Sequence, residues 1–142
     1  MATPNKYRVM IGPAGPYGPV RGKNPLEAPL RDAGFEVLYT DLAGYVRDYE
    51  ADVALVSAAH QEKVDAICVS TVVYLDSRVS QILELLKEKG LNDVLLFGGG
   101  LIDAKKAEWL SAQGAGRIFL LGTKMDDVVT YLREELARRG KT

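Results

Sequence analysis

Five short apolar runs alternate with stretches of helical spacing, and this alternation constrains the fold more than any other feature of the chain. The runs are "YRVMI" (7–11), "EVLYT" (36–40), "DAICVS" (65–70), "DVLLF" (93–97) and "RIFLL" (117–121). They carry little polar alternation, which is the pattern of strands buried on both faces of a parallel sheet. In "SRVSQILELLKEKG", Val79, Ile82, Leu83 and Leu86 fall on one stripe, Lys87 and Lys89 stand in the last turn, and Gly90 stops the helix. "RDYEADVALVSAAHQE" places Tyr49, Val53, Val56 and Ala59 at helical spacing. "DAKKAEWLSAQG" opens on a capping Asp103 and ends on Gly114. In "GTKMDDVVTYLREELARRG", Thr123 is the expected cap and Asp126 the capping-box partner, ahead of Val128, Val129, Leu132 and Leu136.

Repeated strand–helix alternation with right-handed crossovers gives a doubly wound α/β sandwich. The expected architecture is a flavodoxin-like, Rossmann-type five-stranded parallel sheet of order 2-1-3-4-5, as a single domain over residues 1–142. Ligands on such sheets bind beyond the carboxyl ends of the strands, at the switch point beside the first strand. Four segments share that rim: 12–24, 70–76, 98–103 and 122–124.

Composition removes several function classes. Charged residues make up 26% of the chain and the net charge is −1, so no basic excess points to nucleic acid or anionic lipid. No apolar run reaches membrane-spanning length and no signal peptide opens the chain, so the expectation is a soluble, cytoplasmic protein. One cysteine, Cys68, and one histidine, His60, exclude an internal disulfide and a multi-thiolate or multi-histidine metal site.

The rim itself fits few chemistries. "GPAGPYGPVRGKNP" (12–25) holds four glycines and four prolines but no carboxylate, histidine or cysteine. Its glycines run G-x-x-G-x-x-G, and Pro13, Pro16 and Pro19 have no N–H to offer a phosphate, which argues against a dinucleotide cradle. A phosphoacceptor receiver would need carboxylates where Gly12, Pro13 and Ser70 stand. A hydrolase triad at Ser70 fails because a helix feeding the third strand leaves His60 at the opposite rim. Cys68, mid-strand, reads as a small core hydrophobe. No catalytic residue and no metal ligand emerges. What remains is a set of small residues: Gly15, Gly18, Gly22, Ser70, Gly98, Gly99 and Gly100. Small residues at strand ends leave room for something bulky and flat against the backbone.

"LRDAGFEVLYTDL", "DAICVST", "LELLKEKGLNDVLLFGGGLI" and "GAGRIFLLGT" resemble, in order and spacing, the cobalamin-binding domain of methylmalonyl-CoA mutase and related acyl-CoA mutases. The likeness covers nearly the whole chain, with extra residues around 43–50, and the size resembles the small subunit of two-subunit mutases. The family's D-x-H-x-x-G motif supplies a histidine to cobalt and an aspartate that orients it. Gly15, Gly18, Arg21 and Gly22 fall on family positions, which puts Tyr17 at the aspartate and Pro19 at the histidine. A proline cannot ligate cobalt, so this chain departs from the histidine-on mode. The resemblance further implies a slot for the displaced benzimidazole tail, lined here by Ser70, Thr71 and Val72, by Gly98, Gly99 and Gly100, and by Phe119, Gly122 and Thr123. Leu120 stands where the family often has glycine, and Pro29 would break a first helix that began at Pro25 but not one beginning near Ala28.

The resemblance implies a cobalamin-binding small subunit of an adenosylcobalamin-dependent isomerase, holding the cofactor base-off without a histidine ligand. A separate TIM-barrel large subunit would carry the substrate, because such a barrel takes about 250 residues. The alternatives are a base-on cobalamin carrier or sensor, and a cobalamin-free structural or regulatory relative.

Overall fold

In a computed structural model, the described residues are 7–12, 26–39, 48–71, 75–100, 102–120 and 122–140, with backbone alone for Tyr39, Asp48, Ser70, Thr71, Leu75 and Asp76. They form β1 (Arg8–Gly12), α1 (Glu27–Asp32), β2 (Glu36–Tyr39), α2 (Asp48–Glu62), β3 (Ala66–Thr71), α3 (Leu75–Glu88), β4 (Leu95–Gly100), α4 (Ala104–Ala112), β5 (Ile118–Leu120) and α5 (Met125–Arg138). The sheet order is β2-β1-β3-β4-β5 and every neighbouring pair is parallel, as the sequence predicts for a flavodoxin-like α/β fold.

The uninterrupted apolar runs are explained by two cores, one on each face. Val9, Ile11, Ala66, Cys68, Leu95, Phe97 and Phe119 pack under α1 and α5, against Leu30, Val128, Leu132 and Leu136. Met10, Ile67, Val69, Leu96 and Ile118 pack under α2, α3 and α4, against Leu55, Ile82, Leu86 and Leu110. Alternate residues along the central strands thus serve opposite layers, and the polar residues stand only at strand ends, at Arg8, Glu36, Ser70 and Thr71.

Local signals set most of the boundaries. Asp103 caps α4, its Oδ1 accepting from the Lys106 N–H at 2.8 Å. Gly90 follows α3 at φ +71°, a conformation that costs glycine little. Pro29 is the third residue of α1, where the N–H has no intrahelical acceptor in any case, so its ring is tolerated. The helix starts at Glu27, close to the predicted Ala28 and well after Pro25.

Three expectations are corrected. The glycine triplet does not follow the fourth strand but forms its last three residues, since β4 runs from Leu95 to Gly100. Thr123 does not cap α5: the N-cap position is Lys124, and the Thr123 hydroxyl donates instead to the Leu120 carbonyl at 2.7 Å. On α2 the buried stripe is Asp52, Leu55, Val56 and Ala59, whereas Tyr49 is 57% exposed and Val53 only partly buried. A charged residue within the true stripe shifted the apolar spacing by about one residue, roughly 100° around the helix.

Candidate functional site at the carboxyl edge of the sheet

Because all five strands run parallel, Gly12, Thr71, Gly100 and Leu120 close β1, β3, β4 and β5 on one edge. The pairing register stacks small residues into rows across it. Gly12 pairs with Val69, which pairs with Gly98, which pairs with Ile118. One residue further out, Ser70, Gly99 and Phe119 form the next row, then Thr71, Gly100 and Leu120.

The glycines of β4 play different parts. A Cβ on Gly98 would lie 2.1 Å from the Val69 carbonyl oxygen, so this residue is glycine because β3 approaches it too closely for a side chain. A Cβ on Gly99 would lie 2.9 Å from the Phe119 carbonyl oxygen and 3.4 Å from Phe119 Cβ, a milder conflict. Gly98 is buried, while Gly99 and Gly100 are half-buried and offer bare backbone at the edge. By strand alternation Gly99 belongs with Leu95 and Phe97 to the α1/α5 face.

Phe119 is buried in that same layer. It meets Tyr131 edge-on at 5.5 Å, and the Arg117 guanidinium lies 5.0 Å from its ring centroid. The Tyr131 hydroxyl accepts from the Arg117 N–H at 2.8 Å, and burial pushes its own pKa up. Gly122 and Thr123 follow β5 at the edge, Gly122 with φ +89°, and Leu120 is 40% exposed there. Ser70 and Thr71 are placed there by their backbone. The proposed contacts at Gly15, Tyr17, Gly18, Arg21, Gly22 and Val72, and the ligand position Pro19, lie outside the described residues.

The single histidine lies at the opposite edge and the single cysteine inside the core. His60 is exposed in the last turn of α2, at the amino edge, where it lines a depression of about 470 Å³ with Val64, Asp65, Leu91 and Asp93. It is the only histidine of the chain. Cys68 faces the interior, and burial pushes its thiol up to about 12. Among the described residues no three His, Cys, Asp or Glu side chains gather where they could hold a metal ion. None of the described helices is long and apolar enough to cross a membrane.

One feature escapes a reading of apolar spacing. Between the edge-proximal ends of α2 and α3, Asp52 and Arg78 form a buried ion pair. Arg78 donates from Nε and Nη2 to Asp52 Oδ1, and Gln81 Nε2 donates to Oδ2 at 2.6 Å. The only sequence signal was positional: Asp52 is three and four residues from Leu55 and Val56, and Arg78 is four from Ile82.

Comparison with known proteins agrees with this geometry. The chain is 31% identical over 122 residues to the pivalyl-CoA mutase small subunit of Xanthobacter autotrophicus, covering 86% of this chain and 78% of that one. It is 29% identical over 134 residues to the 2-hydroxyisobutanoyl-CoA mutase small subunit of Aquincola tertiaricarbonis, covering 94% of each. Its fold matches a cobalamin-binding protein from Desulfitobacterium hafniense with a TM-score of 0.70 at 19% identity, over 90% of this chain and 58% of that one. Residues 7–132 match the B12 binding domain family. A five-stranded sheet in this order, an edge of small residues and homology to small subunits of acyl-CoA mutases converge: this chain belongs to the B12-binding domain family.

Proposed function

We propose that this chain is the cobalamin-binding small subunit of an adenosylcobalamin-dependent, acyl-CoA mutase-like isomerase, and that it holds the cofactor base-off with no histidine on cobalt. The observation that carries the reading is a pairing of opposites. The strands end in Gly12, Ser70-Thr71 and Gly99-Gly100 on one edge, and the chain's single histidine stands on the other. The half-buried backbone of Gly99 and Gly100 suits the approach of a large flat group, and the displaced nucleotide tail would run on the α1/α5 face to which Gly99 belongs. The donor set supplies no imidazole there. The residues therefore fit cobalamin as a bound body but not as a histidine-ligated one.

In this reading Ser70, Gly99, Phe119 and Thr123 lie along the tail, while Gly15, Gly18, Arg21 and Gly22 shape the loop that faces the corrin, with Tyr17 towards cobalt. Adenosylcobalamin supplies the radical chemistry of the rearrangement, and this chain supplies placement and electrostatics. A separate large subunit, a TIM barrel in this proposal, binds the acyl-CoA. Titration of adenosylcobalamin against the chain, followed by absorbance, tests the reading. Saturable conversion to the base-off spectrum is the expected result. A bound base-on spectrum would favour a carrier or sensor, and no spectral change or co-elution would favour a relative without cobalamin.

A further inference from the structure

Arg78 is the fourth residue of α3 and only 3% exposed, and Asp52, the fifth residue of α2, is fully buried. Each helix follows a parallel strand and so begins at the carboxyl edge, which puts both residues roughly one turn, about 5 Å, beneath it. Asp52 Oδ1 takes the Nε and Nη2 donors of Arg78, and Gln81 occupies Oδ2. The third guanidinium nitrogen, Nη1, is buried and has no hydrogen-bond partner. A guanidinium is a rigid planar fork, so Asp52 fixes its plane and neutralises its charge without using that donor. A buried donor left without an acceptor is unfavourable to the free chain, and an arriving acceptor recovers that loss.

We infer that Arg78 is a cofactor-recognition residue: Asp52 and Gln81 hold it so that Nη1 donates to a carbonyl oxygen of a peripheral amide of cobalamin. The inference rests on the cobalamin reading above. A neutral carbonyl suits the position better than a phosphate, because Asp52 already balances the arginine charge and would repel a second anion. Corrin amides project from the rim of a flat ring lying over the strand ends, which is the direction from which an acceptor reaches the first turns of α2 and α3.

The test separates recognition from simple structural support. Asp52→Leu with Arg78→Met replaces the ion pair by apolar groups of similar size, an exchange that buried ion pairs often tolerate or that raises stability, and the half-buried Gln81 amide can turn to solvent. Arg78→Lys keeps a cation beside Asp52 but loses the fork. Adenosylcobalamin is titrated into the full chain and its variants, with thermal midpoints of the unliganded proteins measured in parallel. The double variant should melt at or above the wild type yet bind about tenfold more weakly, the worth of one hydrogen bond to a charged donor. Arg78→Lys should show a similar loss, and if it does not fold the double variant alone decides. A folded double variant with wild-type affinity overturns the inference and leaves the cofactor reading standing. Absence of binding by the wild type overturns both.

Discussion

Gly98 and Gly99 are neighbours on β4, yet an alanine at each should have different consequences, and the difference can be worked from the sheet. At Gly98 the new methyl would lie 2.1 Å from the Val69 carbonyl oxygen, and both atoms belong to the backbone of paired central strands. No flexible side chain can yield, so β3 and β4 must separate. Overpacking of this kind costs about 1–3 kcal/mol, offset by the roughly 0.4–1 kcal/mol that alanine recovers by restricting the unfolded chain. A net loss of about 1.3 kcal/mol, the centre of those ranges, should lower the thermal midpoint by roughly 4 °C in a chain of this size. At Gly99 the conflict is 2.9 Å with the Phe119 carbonyl, again backbone, but the overlap is smaller and the partner is the three-residue edge strand β5, which can shift more readily than central β3. Gly99→Ala should therefore lose less than about 1 kcal/mol, a fraction of the overpacking range. It remains a folded chain on which affinity can be read, and a methyl in the tail slot should weaken cobalamin binding about tenfold. Gly99→Leu is a poorer probe, because the side chain beyond Cβ would disturb the sheet along with the site. Thermal and urea melts by circular dichroism, with a cofactor titration of Gly99→Ala, measure both effects. Equal stability of Gly98→Ala and wild type, or a larger loss at Gly99, would refute the strand-contact argument; unchanged affinity in Gly99→Ala would remove the tail from that face.

Two further outcomes follow from the core and from the loop. Burial raises the Cys68 thiol from 9.0 to about 12, so a thiol reagent at mildly alkaline pH should label it only after unfolding; labelling of the folded chain would contradict its placement. The unfolded thiol ionises first, so the stability it contributes is complete below about pH 9 and is lost as the pH rises towards 12; a melt series across that window should show the decline. If the loop lacks only its ligand relay, Tyr17→Asp with Pro19→His should tighten cobalamin, by about 10–100-fold more than Pro19→His alone, the usual worth of a metal ligand's carboxylate partner. That gain should fade as the pH falls below about 6.5, where a proton competes for the imidazole. Pro19→His alone should give a weaker form of the change, and a folded double variant with unaltered affinity would show that the loop cannot reach cobalt.

The sheet was legible because its signal is redundant. Each strand run is apolar apart from its ends, so a small error in a boundary leaves both buried faces intact, and right-handed crossovers narrow the strand order to a few, of which the expected 2-1-3-4-5 is the one found. Glycine was read less well. Spacing shows that "GGG" is unusual, but only the register shows that Gly98 is required by Val69 across the pair, and so belongs to the strand itself. The α2 face was misjudged because Asp52 sits in the buried stripe, where a charged residue reads as solvent-facing until its partner on α3 is known. Arg78 was invisible for the same reason. Thr123 carries a cap-forming side chain just before a helix, yet the local turn offered its hydroxyl the Leu120 carbonyl instead. Of the candidate site, the edge that the strands build could be placed from sequence, since parallel topology alone gathers Ser70, Gly99 and Thr123 and sends His60 to the far side. The distinction between glycines that serve the sheet and glycines that face a ligand needed distances.

The central claim is that cobalamin binds this edge with no nitrogen on the lower face of cobalt. Electron paramagnetic resonance of the cobalt(II) form of the cofactor, bound to the full chain at neutral pH, addresses it directly, because an axial nitrogen splits each cobalt line into three. The account predicts a bound spectrum without that nitrogen splitting, unchanged in His60→Ala. Nitrogen splitting in the bound complex would contradict it, its loss in His60→Ala naming the histidine as ligand and its persistence naming the cofactor's own benzimidazole.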